Sequence, residues 1–446
     1  MIFPRYPTYK DSGVEWLGKV PGHWEVWKLT HSFAQIGSGT TPKTDRHAYY
    51  DGGEIPWVNT GDLNDGYLDE CEKRITALAI TDNPSLKTYP AGSLLIAMYG
   101  ATIGKLAILN FAATVNQACC AFSGKSEITP KFMFYWFFGL RQNIISLATG
   151  GGQPNISQEI LRSLRVARPN IAEQTQITTF LDHETAKIDG LVAEQRRLMA
   201  LLKEKRQAVI SHAVTQGLNP HAPLKPSGVE WLGEVPAHWK VAPLKYVVRL
   251  RSGGTPSRIN AAYWDGDVPW ASSKDLKVEV LSDTQDHITQ KAVDDGAADL
   301  VPAGSLLIVV RGMILIHTFP VVKALVPMAI NQDLKALTPS AKLDVDFLAW
   351  LLRGASKETL GRIDEAAHGT KVLRLEAWTS ITLPIPPATE QLAIVRAICE
   401  SMRQLDTLTA EAQRAIELLQ ERRTALISAA VTGQIDVRSL EAVATY

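Results

Sequence analysis

From Glu173 to Gly217, apolar residues recur on alternating four- and three-residue steps: Ile177, Leu181, Ile188, Leu191, Leu198, Leu202 and Val209. Glu184, Gln195 and Lys205 fill the remaining slots, and no proline interrupts the stretch. Such a ladder keeps one stripe of a helix against a partner, so the segment is read as a long coiled-coil helix. Roughly 40 residues at 1.5 Å each make a rod on the order of 60 Å. The pattern returns from Glu390 to Gly433, where Ile394, Ile398, Leu405, Leu408 and Leu419 carry the seam. A shift of 217 positions places Glu173-Gln174 on Glu390-Gln391, Asp189 on Asp406, Arg206 on Arg423, and Ala213-Val214-Thr215 on Ala430-Val431-Thr432. Two helices with matching seams in one chain most simply pack on each other.

Ahead of each helix the pattern changes to short apolar runs between Gly and Pro turns. Ser93–Met98 and Ser305–Val310 read as strands, and 132–147 and 344–362 as helices. Ile160–Val166 is a strand or a short helix. Pro169 and Pro386-Pro387 mark the entries of the long helices. The repetition extends through these parts. SGVEWLGKVPGHW at Ser12 returns as SGVEWLGEVPAHW at Ser227, and GTTP at Gly39 as GGTP at Gly253. YYDGGEIPWVNTGDL at Tyr49 returns as YWDGDVPWASSKDL at Tyr263. PAGSLLI stands unchanged at Pro90 and Pro302, and VNQA at Val115 is echoed by INQD at Ile330. One unit of about 215 residues, a globular part and then a long helix, is written twice. Between the shared blocks the copies diverge: YGATIGKLAILNFAATV at Tyr99 has become VRGMILIHTFPVVKALVPMAI at Val310. One frame therefore presents two different surfaces.

With 446 residues the chain is long enough for two to four domains with real cores. Lys+Arg and Asp+Glu both number 46, so no global charge announces nucleic acid or membrane. Cys71, Cys119, Cys120 and Cys399 form no CxxC pair and no disulfide framework, and no metal site is expected. No signal peptide is legible, and the apolar run Phe132–Leu140 is far too short to span a bilayer. A cytoplasmic protein with no membrane partner is expected.

Catalytic patterns end as near-misses. GATIGK, Gly100–Lys105, is one residue short of a phosphate loop and has Leu106 where Ser or Thr is required. His183-Glu184 lacks the second histidine of a zincin helix. No G-x-S-x-G elbow occurs, and Pro386-Pro387 lacks the flanks of an amino-methyltransferase tetrad. The chain is expected to have no active site of its own.

The YKDSGVEWLGKVPGHWEV opening, SGxTP, the DGxxPW block, PAGSLLI, GGGQPNIS at Gly150 to Ser157 and the Glu-Gln helix starts occur in order over nearly the whole chain. They resemble the specificity (S) subunit of type I restriction–modification enzymes. In the second copy, Gly369-Thr370-Lys371 matches Gly151-Gly152-Gln153 only loosely. The resemblance implies an α+β chain with two target-recognition domains of mixed sheet and helices. Two long helices separate them, packed as an antiparallel coiled coil with an internal pseudo-two-fold. The divisions are 1–170 and 218–387 for the recognition domains, with 171–217 and 388–446 for the conserved spacer helices and tail. It further implies double-stranded DNA as partner, a pair of methyltransferase (M) subunits on the spacers, and restriction (R) subunits. S-adenosylmethionine, ATP and Mg²⁺ would be bound by those partners. Because the two inserts differ, the half-sites of a bipartite target should differ as well. A coiled-coil adaptor that binds no DNA is the competing reading.

Phosphate contacts need Lys, Arg or small polar loop residues, and base edges need Arg, Asn, Gln, Ser or Thr. The candidates are Thr41, Lys43, Arg46, Asn59, Lys73, Arg74 and Lys105 in the first copy. In the second they are Thr255, Ser257, Arg258, Ser272, Ser273, Lys274 and Arg311. The tryptophans of the repeated blocks (Trp16, Trp24 and Trp57; Trp231, Trp239 and Trp270) are expected to be core anchors. Both copies keep them while the surface diverges.

Overall fold

The computed structural model describes residues 3–149, 154–366 and 369–439. Gly150–Gln153, the glycine-rich start of GGGQPNIS, lies outside the described residues. The chain divides into two compact units, Met1–Arg196 with Gln413–Tyr446, and Arg197–Ala412. Both boundaries fall inside long helices.

In the first unit the central sheet has five strands: β1 (Phe33–Ser38), β2 (Gly66–Leu68), β3 (Leu94–Ala97), β4 (Leu106–Leu109) and β5 (Cys119–Ser126), in the order β1-β5-β3-β4-β2. All neighbours are antiparallel except β2 and β4. β3 and β4 bury every residue, which explains apolar runs without alternation. Helix α1 (Pro130–Gly139) buries Phe132 to Phe137, with Thr129 accepting from Phe132 N as its cap and Pro130 at its first position. The short helix Gln158–Ser163 and the strand Arg165–Arg168 follow, the strand pairing with Glu25–Lys28. From there the chain enters α2 (Ile171–Gln216).

The second unit repeats this plan. Its sheet is β6 (Val248–Ser252), β7 (Val280–Leu281), β8 (Leu306–Val309), β9 (Val321–Ala324) and β10 (Leu334–Pro339), ordered β6-β10-β8-β9-β7 with only β7–β9 parallel. Helix α3 (Val345–Gly354) buries Phe347 to Leu352 under an Asp344 cap. The strand Thr382–Ile385, paired with Lys240–Pro243, leads into α4 (Ala388–Val431).

Within each unit the segments of α2 and α4 run antiparallel. In the first, Trp24 reaches both ends: its indole donates to Glu173, at the start of α2, and Gly433, past the end of α4, packs on its ring. Further along, Asp189 of α2 meets Arg423 of α4 at 3.1 Å. In the second unit Trp239 is bonded to Glu390 and packed on by Gly217 in the same way, while Arg206 pairs with Asp406. The end of one helix thus lies beside the start of the other. Each globular part is pressed onto a long helix at a glycine. A Cβ on Gly139 would lie 2.9 Å from the backbone nitrogen of Ser428, and one on Gly354 would lie 2.9 Å from Val214 Cγ2.

The buried stripe keeps one set of the expected slots and moves the other set by one residue. Ile177, Leu181, Ile188, Leu202, Ile394, Ile398 and Leu405 are buried, and Val209 and Leu419 are half-buried. Leu191, Leu198 and Leu408 instead stand 52%, 40% and 46% exposed, which corrects their assignment to the seam. The inward positions are Thr185, Val192, Met199 and Arg206, each one residue after its expected slot, matched by Met402, Thr409, Ile416 and Arg423. Adjacent helical residues point about 100° apart, so only one of Leu191 and Val192 can face the partner. The anchors at the helix starts and the glycine crossings select Val192.

Candidate nucleic-acid interface

The glutamine after each anchoring glutamate is fully buried. Gln174 Oε1 accepts from Thr129 N at 2.8 Å, and Nε2 donates to the carbonyls of Glu127 and Pro169. Gln391 makes the same three bonds, to Asp344 N, Lys342 O and Pro386 O. The Glu-Gln pair therefore fixes the start of each long helix to its globular part.

Six of the seven first-copy candidates gather around Trp57, on the strand Ile55–Val58 of a small sheet. The Trp57 indole donates to Thr40 O at 3.2 Å, and the ammonium of Lys73 lies 5.9 Å over its ring. Thr41 donates to Gln117, and Asn59 accepts from Asn116 Nδ2 at 3.2 Å. A Cβ on Gly39 would fall 1.7 Å from Val115 O, so the loop passes where only glycine fits. Lys43 is exposed beside Pro42, whose carbonyl accepts from Tyr50. Arg46 is exposed but already partnered within the protein: it pairs with Asp82 at 2.9 Å and lies 4.4 Å over Tyr49. Arg74 donates to Glu54 O.

Trp270 is the second hub. Its indole donates to Gly254 O at 3.0 Å, and Thr255 donates to Gln332. Arg258 stacks 4.3 Å over Trp264 and reaches Asp286 at 3.4 Å, while Ser257 O accepts from the Trp264 indole. Ser272 donates through both N and Oγ to Asp275, which fixes the turn carrying Ser273 and Lys274. Lys105 and Arg311 do not join the hubs. They occupy the loops after β3 and β8, Lys105 half-buried and Arg311 exposed. Gln117 and Gln332, outside the candidates, hold the two threonines, and the VNQA/INQD repeat marks them in the sequence.

GATIGK joins two antiparallel strands instead of opening a helix, so its N–H groups lack the strand-to-helix geometry of a phosphate cradle. Cys119 and Cys120 are buried, and burial pushes the Cys120 thiol up to about 12, far from a nucleophile's range. Among the described residues no group of three or more His, Cys, Asp or Glu is placed to hold a metal ion. No described helix is long and apolar enough to cross a membrane.

Two like hubs, each with the same Glu-Gln anchor, make a site written twice, and one family model likewise matches the chain twice. The type I restriction modification DNA specificity domain matches residues 21–195 and 236–418. The chain belongs to that family. The specificity subunit of EcoR124I/EcoR124II from Escherichia coli is 25% identical over 402 residues, covering 83% of this chain and 93% of that protein. The MjaIX specificity subunit of Methanocaldococcus jannaschii is 24% identical over 437 residues, 95% of this chain and 96% of its own. Among solved structures, a chain from a study of type I restriction–modification assembly and conformational transition superposes with a TM-score of 0.69 at 16% identity, over 92% of this chain and 98% of that one. The HsdS subunit of Thermoanaerobacter tengcongensis gives 0.53 at 15% identity, over 93% and 98%. This specificity subunit is thus a DNA-sequence-recognition component, not a catalytic one, and the adaptor reading without DNA is not favoured.

Proposed function

We propose that the chain reads a bipartite, asymmetric DNA target, one half-site per unit, and carries two methyltransferase subunits together with restriction subunits. The observation that carries this reading is the paired hubs. Trp57 and Trp270, Thr41–Gln117 and Thr255–Gln332 are one frame built twice, while Lys43 is matched by Ser257 and the loop after β3 by an unrelated loop after β8. A like frame supports like placement on the duplex, and unlike loops support unlike base sequences. Two copies of one partner are supported by leucines left on the outside at related positions. Leu191 and Leu408 are 52% and 46% exposed, and Leu201 and Leu418 are 52% and 56%. Each unit holds one member of each pair. S-adenosylmethionine, ATP and Mg²⁺ belong, in this reading, to the partner subunits.

The test is the methylome of cells with and without the gene. An adenine-methylated motif of two unequal halves that vanishes with the gene is the expected result. A palindromic motif, or no change, rejects the reading.

A further inference from the structure

The two units share one further construction, between the spacer helices and the turns that hold the candidate base-reading residues. In the second unit Arg206 of α2 spans two carboxylates. One terminal nitrogen meets Asp406 of α4, and the other donates to Glu279 Oε1 at 2.9 Å. Glu279 stands directly before β7, at the end of the turn that begins at Ser272. Arg353 of α3 closes the cluster from the other side. Its guanidinium lies 3.6 Å from Glu279 Oε2, donates to the Glu279 carbonyl at 3.1 Å and rests 4.7 Å over Trp350.

In the first unit Arg423, 217 positions from Arg206, meets Asp189, the counterpart of Asp406. The Nε–Oδ1 approach of 3.1 Å is coulombic, because the N–H does not point along it. From there the chemistry differs. Arg423 lies 4.7 Å over the ring of Phe138, the residue that occupies Arg353's place in the repeat, and Arg141 lies on the same ring at 4.7 Å. Arg141 then makes a bidentate pair with Asp65. Asp65 stands directly before β2, at the end of the turn that begins at Asn59. It sits at φ 61°, in the left-handed region that aspartate tolerates better than most residues.

The spacer arginine is the same in both units, and each diverged domain has rebuilt a route from it to an acidic residue at the foot of the equivalent turn. Partly exposed ion pairs contribute little stability, so stability does not account for the recurrence. We propose that Arg206 and Arg423 are positioning residues for base readout. They fix the foot of the turn, Ser272–Glu279 in one unit and Asn59–Asp65 in the other, against the helix segment of the same unit. The fork of an arginine suits this role because two of its nitrogens can hold two partners at once. The inference rests on reading these turns as DNA-facing.

The test uses the assembled methyltransferase complex and oligonucleotides carrying single-base changes in either half-site. Arg206→Ala is expected to lower discrimination about tenfold at one half-site and to leave the other unchanged, about the cost of one mismatched base pair. Arg423→Ala does the reverse. Glu279→Ala matches Arg206→Ala, and the double variant is no worse than either single one. Arg206→Lys, which keeps the charge without the fork, falls between. A lower Tm with unchanged discrimination at both half-sites, in the alanine and lysine variants alike, overturns the proposal. A wild-type complex with no sequence preference rejects the DNA reading itself, and the proposal with it.

Discussion

The indole of Trp24 donates to Glu173 Oε1 at 3.1 Å, and the indole of Trp239 donates to Glu390 Oε2 at 3.0 Å. Both rings are fully buried. The first acidic residue of each spacer helix is therefore bonded to the recognition domain of its own unit. The environments differ in depth. Glu173 also accepts from Tyr6 and faces His23, and its side chain is 4% exposed, whereas that of Glu390 is 26% exposed. Removing an acceptor strands buried donors at about 1–3 kcal/mol each. Glu173→Ala is accordingly expected to cost about 3–5 kcal/mol and Glu390→Ala about 1–2. Urea unfolding of the two variants checks the order.

Gln174 offers an acceptor to one N–H and a donor to two carbonyls, all away from water. Gln174→Glu is predicted to destabilise more than Gln174→Ala. A carboxylate keeps the bond to Thr129 N but sets an anion against two carbonyl oxygens. Thermal denaturation in which alanine proves the worse substitution would contradict this.

The Tyr6 hydroxyl is held well above the usual tyrosine range, first by burial and then by its bond to Glu173. A raised folded value means that its stabilisation is fully present below the unfolded value, about 10, and drains away as pH rises beyond it. The wild-type Tm should fall from about pH 10 upward more steeply than that of Tyr6→Phe, which has no proton to lose there. Parallel curves would place the alkaline loss elsewhere.

Lys43 and Arg46 lie three residues apart and should behave differently. Lys43→Ala is expected to weaken DNA binding by a similar factor on all sequences and to reduce the salt slope by about one. Arg46 is already paired with Asp82 and stacked on Tyr49, so Arg46→Ala should change the slope less than Lys43→Ala does and leave Tm nearly unchanged. Binding isotherms at several salt concentrations, alongside melting curves, separate the two.

Leu191→Glu and Leu408→Glu should each remove one methyltransferase copy from the assembly with little change in Tm, because about half of each residue is already exposed. The complex mass, measured by light scattering, reports the outcome. An unchanged mass in both variants would remove these leucines from the docking surface.

The sequence by itself determined the duplication, the two long helices, the strand runs around PAGSLLI and the family. Each depends on periodicity or on whole blocks written twice, and these are local properties of the chain. The seam's phase was not local. Leu191 and Val192 are both apolar, and the ladder allowed either; the Glu-Gln anchors and the close approaches at Gly139 and Gly354 chose Val192. The candidate site divided in the same way. Residue type picked out Thr41, Asn59 and Lys73, but only the fold placed them around Trp57, paired Arg46 with Asp82 and set Lys105 apart. The routes from Arg206 to Glu279 and from Arg423 to Asp65 join residues with no common pattern in the chain. Only the packing of a helix against a sheet brings them together.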